Sequence, residues 1–240
     1  NVAYSQEEIF ETPTLRSAIT YAIDRSELVK DNYNGFARPT AIAMDPGHPY
    51  YSEALNARYS YDPVKFINAM NFADLPREPL RLLVNSDDSM RMRLARDIVN
   101  MLTECGLNIE MVEKRNNEFI QDVKYGKYDL YLGQTKLSPN MDLSAFFRED
   151  GALSWGGMAN ATCLDMCQEA LENSGNYYNL HQMVLRNGQL IPVLFRTYAV
   201  YADRGLVSEM EPARDNVCFY TLGRTDTDAL IPIDYHNSEG

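Results

Sequence analysis

LRLLVNSDDSMRMRLARDIVNMLTECGLNIEMVEKRNNEFIQDVKYGKYDLYL, residues 80–132, is the stretch that decides the fold. Leu80 to Val84 is a short apolar run bounded by Pro79 and by Asn85-Ser86-Asp87-Asp88, the mark of a buried strand. Met90 to Cys105 then places Met90, Leu94, Ile98, Met101 and Leu102 at helical spacing, with Gly106 positioned to end the helix. Leu107 to Val112 reads as a second strand, Asn117 to Tyr125 as a short helix ended by Gly126, and Tyr128 to Leu132 as a third strand. Strand–helix–strand–helix–strand with short connections predicts an α/β fold: a mixed, mostly parallel sheet with helices on both faces.

Toward the N-terminus, Thr12 to Ile23 has Thr12 to cap it, Pro13 at the first helical position, and Leu15, Ala18, Ile19, Ala22 and Ile23 on one face. Asp24-Arg25-Ser26-Glu27 opens a further short helix, which Gly35 ends. Ala37 to Ser60, with Pro39, Pro46, Gly47 and Pro49, reads as a loop. Asp62-Pro63 starts an amphipathic helix with Phe66, Ile67, Met70 and Phe72 inward. Toward the C-terminus, Gln134 to Met158 is irregular and helices resume at Cys163 to Leu171 and Tyr177 to Asn187. Ile191 to Phe195, around Pro192, reads as an edge or crossing strand, and the tail from Thr197 is strand- and turn-like. No internal repeat is visible.

The 240 residues carry a formal net charge of −12, which disfavours a phosphate backbone or an anionic membrane surface as partner. The longest apolar runs fall far short of a bilayer span. The chain opens on Asn1-Val2-Ala3 without a basic-then-apolar leader, which suggests processing and leaves the compartment of the whole protein open. Cys163 and Cys167 are four apart on one helix face, but the three histidines, His48, His181 and His236, are scattered, so no zinc set is expected. Residues four apart in a helix sit near the limit of disulfide reach, which predicts reduced, metal-free thiols at both positions. Cys105 is expected to be buried beside Gly106; Cys218 has no assigned place.

Catalytic signatures are missing from the sequence: it contains no GxSxG, P-loop, GxGxxG after a strand, or HExxH. Asp87-Asp88 could suggest a hydrolytic carboxylate pair, yet a strand end followed by Asp, Asp and Ser is the usual way to cap the next helix. The third strand leads into Gln134-Thr135-Lys136-Leu137-Ser138-Pro139-Asn140-Met141-Asp142, which brings amide, hydroxyl, ammonium and carboxylate groups to a strand's carboxyl end, where open parallel sheets collect ligands. Phe146, Phe147 and Trp155 add aromatic area downstream. Gln134, Lys136, Asp142 and Trp155 are therefore the candidate ligand-binding residues. The competing reading makes Phe146 and Trp155 caps of the sheet core and the polar groups a solvated loop.

The stretch Leu15-Arg16-Ser17-Ala18-Ile19-Thr20-Tyr21-Ala22-Ile23-Asp24-Arg25 resembles the signature of family 5 extracellular solute-binding proteins, the oligopeptide-, dipeptide- and nickel-binding components of bacterial ABC importers. The helix at Asp62-Pro63, the stretch Glu118-Phe119 with Gly126-Lys127-Tyr128-Asp129-Leu130, and Leu190-Ile191-Pro192-Val193 are similar to three further elements of that family, in the same order. The resemblance covers Thr14 to about Gly223. It implies one lobe of a periplasmic-binding-protein-like type II fold: residues 1–196 as a ligand-binding lobe and 197–240 as a C-terminal return that would pack on a first lobe. Val2 to Tyr4 and Ile191 to Phe195 would lie near the hinge crossings.

Implied too are an extracytoplasmic protein, lipid-anchored or periplasmic, and expected to be a monomer. It would close on an oligopeptide or other small solute, present it to a membrane permease, and need no cofactor. One departure stands out: the tryptophan and the aspartate that often follow the third strand in peptide-binding members are not matched, and only Asp142 falls near a later acidic position. Two rivals remain. One is a stand-alone peptide-sensing or chaperone-like module without transport; the other is an α/β hydrolase or transferase domain, which the missing nucleophile and metal motifs argue against.

Overall fold

A computed structural model describes residues 13–71, 73 and 77–197, together with the backbone of 207–209 and 223–224. The chain divides into two compact units, Asn1–Thr197 and Tyr198–Gly240.

At the centre of the first unit lie β2 (Leu80–Asn85), β3 (Ile109–Lys114) and β4 (Leu130–Tyr131), in the order β3-β2-β4 and all parallel. The antiparallel pairing of the unit is elsewhere, in a two-stranded ribbon of β1 (Ala37–Pro39) and β5 (Leu194–Arg196). The third strand is shorter than the apolar run Tyr128 to Leu132 suggests: only Leu130 and Tyr131 stand in register, opposite Leu82 and Leu83, while the flanking Asp129 and Leu132 donate their N–H groups to the carbonyls of Arg81 and Leu83 at 3.2 and 3.0 Å.

Alternation along β2 gives the sheet two covered faces. Leu80, Leu82 and Val84 enter a core built with Leu94, Ile98 and Leu102 of α5 (Ser89–Glu104), Phe66 and Met70 of α4 (Pro63–Met70), and Ala18, Ile19 and Ala22. Leu83 faces the other way, toward Phe119 and Val123 of α6 (Asn116–Lys124), Tyr128 and Tyr131. Arg81 cross-links the strands: its backbone N–H and its Nε donate to Oδ2 of buried Asp129, at 2.8 and 3.1 Å.

The N-terminal helix is Pro13–Ala18 (α1), tightening to a 3₁₀ turn over Ile19–Ala22, and residue 12 lies outside the described residues. Asp24 caps α2 (Arg25–Tyr33), accepting from the N–H groups of Ser26 and Glu27 at 3.0 Å each, and Asn34 and Gly35 leave it with positive φ. On α4, Ile67 is 40% exposed rather than inward, since Phe66 and Met70, four apart, already define the buried stripe; Phe72 lies outside the described residues. Nor is the stretch Ala37 to Ser60 a plain loop. It contains β1 and α3 (Glu53–Arg58), and its Ile42, Met44 and Leu55 are buried in a second core.

That core is helical. It joins α7 (Ser144–Phe147), inside the stretch read as irregular, to α8 (Ala161–Glu172) and α9 (Tyr177–Asn187). Cys163 and Cys167 are free thiols buried on the inner side of α8, and burial pushes the Cys167 thiol up to about 12. Cys105 is free but only half-buried, because it occupies the solvent-reaching C-cap of α5; Cys218 lies outside the described residues. In the second unit, β6 (Val207–Glu209) and β7 (Gly223–Arg224) pair antiparallel.

Candidate functional site

Parallel strands end together, so the carboxyl ends of β2 and β4 bring the loops that follow them to one edge. After β2, Asn85 turns the chain: its Oδ1 accepts from the N–H of Asp87 and its Nδ2 donates to Oδ1 of Asn116, both at 2.9 Å. Asp88 caps α5, accepting from the N–H groups of Met90 and Arg91 at 3.0 Å. Asp87 accepts from the N–H of Asn116 at 2.9 Å, at the start of α6. Both aspartates thus tie helix starts to the sheet, which is the capping role their place in the sequence suggests.

The four residues singled out from the sequence fall into different surroundings. Gln134 is exposed just past β4, and its Oε1 accepts from Nη2 of Arg91 at 3.4 Å. Lys136 is exposed two residues on. Asp142 is half-buried and starts α7: its Oδ1 accepts from the backbone N–H and hydroxyl of Ser144, at 2.8 and 2.6 Å, while its own N–H donates to the hydroxyl of Ser138. It therefore belongs to the helical core, whose Leu143, Phe146 and Phe147 follow directly.

Trp155 packs on the second face of the sheet, against the cluster of Phe119, Tyr128 and Tyr131, and the Lys124 ammonium stands 5.5 Å from its ring centroid. Gly156 and Gly157 turn the chain after it with φ of 64° and 73°, a conformation open to residues without a Cβ. Two polar atoms on this side, the Tyr128 hydroxyl and Ser154 Oγ, are buried without a partner, and burial raises the Tyr128 phenol well above its usual value.

Arg91 is the residue that the sequence reading missed. It stands in the first turn of α5, pairs with Asp88 at 3.4 Å across a single turn, and reaches Gln134 from the neighbouring strand's loop. Its Nε is buried and unpartnered. The strand-end rule applied to β2 as well as to β4 points to the segment after Asp88, and Arg91 is its first cation.

Arg25, within the signature stretch, has a different task. It is 6% exposed and donates to the carbonyls of Thr20 (2.9 Å), Ile23 (3.4 Å) and Pro192 (2.9 Å) and to the hydroxyl of Thr20 (2.7 Å). Burial brings its guanidinium down to about 10, while the adjacent Asp24 acts in the opposite sense. Among the described residues no group of three His, Cys, Asp or Glu side chains could hold a metal ion, and no helix is long and apolar enough to cross a membrane.

No curated protein matches this sequence. Solved structures do. PBP AgaA from A. tumefaciens R10, in complex with agropinic acid, is 22% identical with a TM-score of 0.67, over 79% of this chain and 41% of that one. The oligopeptide-binding protein AppA from Bacillus subtilis, in complex with a nonapeptide, is 15% identical with a TM-score of 0.68, over 81% and 44%. NikA from Brucella suis, in complex with Fe(III)-EDTA, is 12% identical with a TM-score of 0.70, over 93% and 50%. This chain thus spans half or less of each of those structures, and at such identities the likeness shows the shared fold. Residues 1–152, which include the signature helix, the helix at Asp62-Pro63 and the whole parallel sheet, match the profile described as bacterial extracellular solute-binding proteins, family 5 Middle, and the chain belongs to that family of binding proteins.

Proposed function

We propose that this chain serves in the substrate-binding component of an ABC importer, with residues 1–196 forming a ligand-binding lobe and 197–240 a C-terminal return onto a further lobe. The protein would work outside the cytoplasm, periplasmic or lipid-anchored, capture an oligopeptide or similar small solute, and present it to a membrane permease. The observation that carries this reading is the parallel sheet of β3-β2-β4, matched within residues 1–152 by a family of solute-binding proteins, with polar side chains at its carboxyl edge. AppA holds a nonapeptide and NikA holds Fe(III)-EDTA, which together support a solute rich in polar groups.

In such a protein the solute favours the closed arrangement by touching it on two sides. Gln134 and Lys136, both exposed past β4, would meet a solute at the sheet edge. Trp155 offers the part of its ring that the sheet leaves exposed, and Asp142 offers Oδ2, since Ser144 occupies Oδ1.

A binder that closes from two sides divides its contacts between them. A micromolar solute is held by about 8 kcal/mol, so one side with half of that binds in the millimolar range. Calorimetry and chemical-shift mapping of the 240-residue chain with peptides test the proposal. Saturable binding no tighter than about millimolar, with shifts at Gln134, Lys136, Asp142 and Trp155, is the expected result. Micromolar affinity would show that this chain holds a complete site, shifts confined to the Arg38–Pro49 loop would move the site elsewhere, and no response at millimolar peptide would overturn the reading.

A further inference from the structure

Asparagine followed by glycine occurs twice in the chain, at Asn34-Gly35 and at Asn187-Gly188, and the fold treats the two pairs in opposite ways. Each ends a helix: Asn34 is the C-cap of α2, and Asn187 is the last residue of α9 with Gly188 as its C-cap. The dipeptide is chemically exposed because glycine lacks a Cβ, so its backbone nitrogen can swing close to the side-chain carbonyl of the residue before it.

Asn34 and Gly35 are the two central residues of a surface turn. The N–H of Phe36 donates to the carbonyl of Tyr33 at 2.8 Å, and φ is 47° at Asn34 and 85° at Gly35, the pair of positive values that a type I′ turn requires. Both residues are exposed, and a Cβ built on Gly35 would meet nothing within 4 Å. Among the described residues, nothing hydrogen-bonds the Asn34 side chain or the Gly35 N–H. One surface hydrogen bond is therefore all that has to open for the two groups to meet.

Asn187 and Gly188 are held at each of the reacting groups. Nδ2 of Asn187 donates to Sγ of Cys163 at 3.2 Å, and the Gly188 N–H donates to the carbonyl of Val184 at 3.1 Å. The Asn187 carbonyl accepts from Nε of Arg16 at 2.9 Å. Gly188 is buried against α1, where a Cβ would stand 2.3 Å from the backbone nitrogen of Ser17. Motion at this pair would have to part α1 from α9.

We propose that Asn34 is a site of spontaneous modification in the folded protein, deamidating through a cyclic imide, and that the packing of α9 on α1 protects Asn187 from the same reaction. The Gly35 nitrogen attacks Cγ of Asn34. The N–Cγ bond forms, the Cγ–Nδ2 bond breaks, and Nδ2 leaves as ammonia with the proton that the Gly35 nitrogen gives up. Water then opens the imide, at Cγ to yield aspartate or at the main-chain carbonyl to yield isoaspartate; nothing is oxidised or reduced. Either product sets a new carboxylate at the C-terminal end of α2, where the helix dipole opposes negative charge. Isoaspartate also lengthens the main chain by a methylene in the turn that feeds β1, three residues before the pairing of Ala37 with Arg196.

The test incubates the folded 240-residue chain in mildly alkaline buffer, with a second sample unfolded in urea, and follows both asparagines by peptide mapping and mass spectrometry. Isoaspartate is scored by its methylation with an isoaspartyl carboxyl methyltransferase. In the folded chain the exchange of amide for acid should appear at Asn34 and run at least about tenfold slower at Asn187. Unfolding should bring Asn187 up to the rate of Asn34, since only packing separates them. Asn34→Gln, which moves the amide one carbon farther from the Gly35 nitrogen, should abolish the product at this position. If Asn34 stays intact in the folded chain while it reacts in urea, the turn itself is protective and the proposal falls. Equal rates at the two positions in the folded chain would overturn the protective role of the α1–α9 contact.

Discussion

Two helices of the first unit begin alike and end up with different duties. In α2 and α5 an aspartate caps the first turn, Asp24 in one and Asp88 in the other, and an arginine follows within three residues, Arg25 and Arg91. Arg25 is enclosed by four acceptors, three of them backbone carbonyls, and ties the turn before α2 to Pro192 of the returning chain. Arg91 has two long contacts and an Nε without an acceptor. The difference separates a cation that the framework depends on from one that it barely uses. A buried guanidinium whose donors are matched by carbonyls locks a join, whereas one with long, partly exposed contacts adds little to it.

That contrast breaks first at Arg25. Replacing it with Met leaves the carbonyls of Thr20, Ile23 and Pro192 buried without donors, so Arg25→Met should lower stability by about 3–5 kcal/mol in urea unfolding. A loss under about 1 kcal/mol would mean that water replaces the side chain and that the two arginines are not distinct.

A third buried nitrogen base sharpens the comparison, because it is under-matched yet lies inside a core. His181 of α9 is 2% exposed, neither ring nitrogen has a partner, and it stacks on Tyr177 with centroids 6.2 Å apart. Burial, with a smaller contribution from His48, brings its pKa from 6.5 down to about 4. A depressed folded-state value means that the unfolded chain binds the extra proton between those limits. Stability is therefore complete above about pH 6.5, falls as the pH drops, and is lost by about 3 kcal/mol once the pH passes about 4. Unfolding followed from pH 7 to 4 should show this slope, and His181→Phe should flatten it. An unchanged slope in the variant would locate the acid sensitivity in the carboxylates.

The caps come next. Asp24→Ala and Asp88→Ala each remove an acceptor from two helix N–H groups and should cost about 1 kcal/mol, with Asp24 costing more because its charge stands beside the buried Arg25, whereas the Asp88–Arg91 contact is long and partly exposed. Equal losses would show that the neighbouring arginine is insulated from its cap. The smallest effect is expected at Arg91. Since its contacts are long and partly exposed, Arg91→Gln should change stability by less than about 0.5 kcal/mol. A larger loss would class it with Arg25 as part of the framework.

The aspartates of the resemblance motifs have the same explanation as Arg25. Asp24 and Asp62 cap helices and Asp129 fastens β4 to Arg81 of β2, so these positions maintain the fold. For that reason membership of the family was readable from motifs while the site was not. Gln134 was reached through the rule for strand ends, and the structure gives it a partner, Arg91, forty-three positions earlier in the chain. Asp142 and Trp155 were named with it from proximity in sequence. The chain passes from the sheet edge into the helical core at Leu143 and then back across the far face of the sheet at Trp155, so neighbours along the chain part company in space.

What the amino-acid order determined on its own was local. The period of two in Leu80 to Val84, the period near 3.6 from Leu94 to Leu102, and the capping residues at Asp24, Asp62 and Asp88 depend on bonds and burial within a few residues, and they sufficed for the α/β class. Tertiary structure decided the rest. That β5 pairs with β1 in a ribbon apart from the sheet, that Ile42, Met44 and Leu55 of a Pro- and Gly-containing stretch are core, that Arg196 of β5 stands over the Tyr33 ring, and that Arg91 meets Gln134 all depend on contacts between segments tens to more than a hundred residues apart. Such contacts leave no period in the sequence, because the energy that fixes them comes from the surface each segment buries on the others.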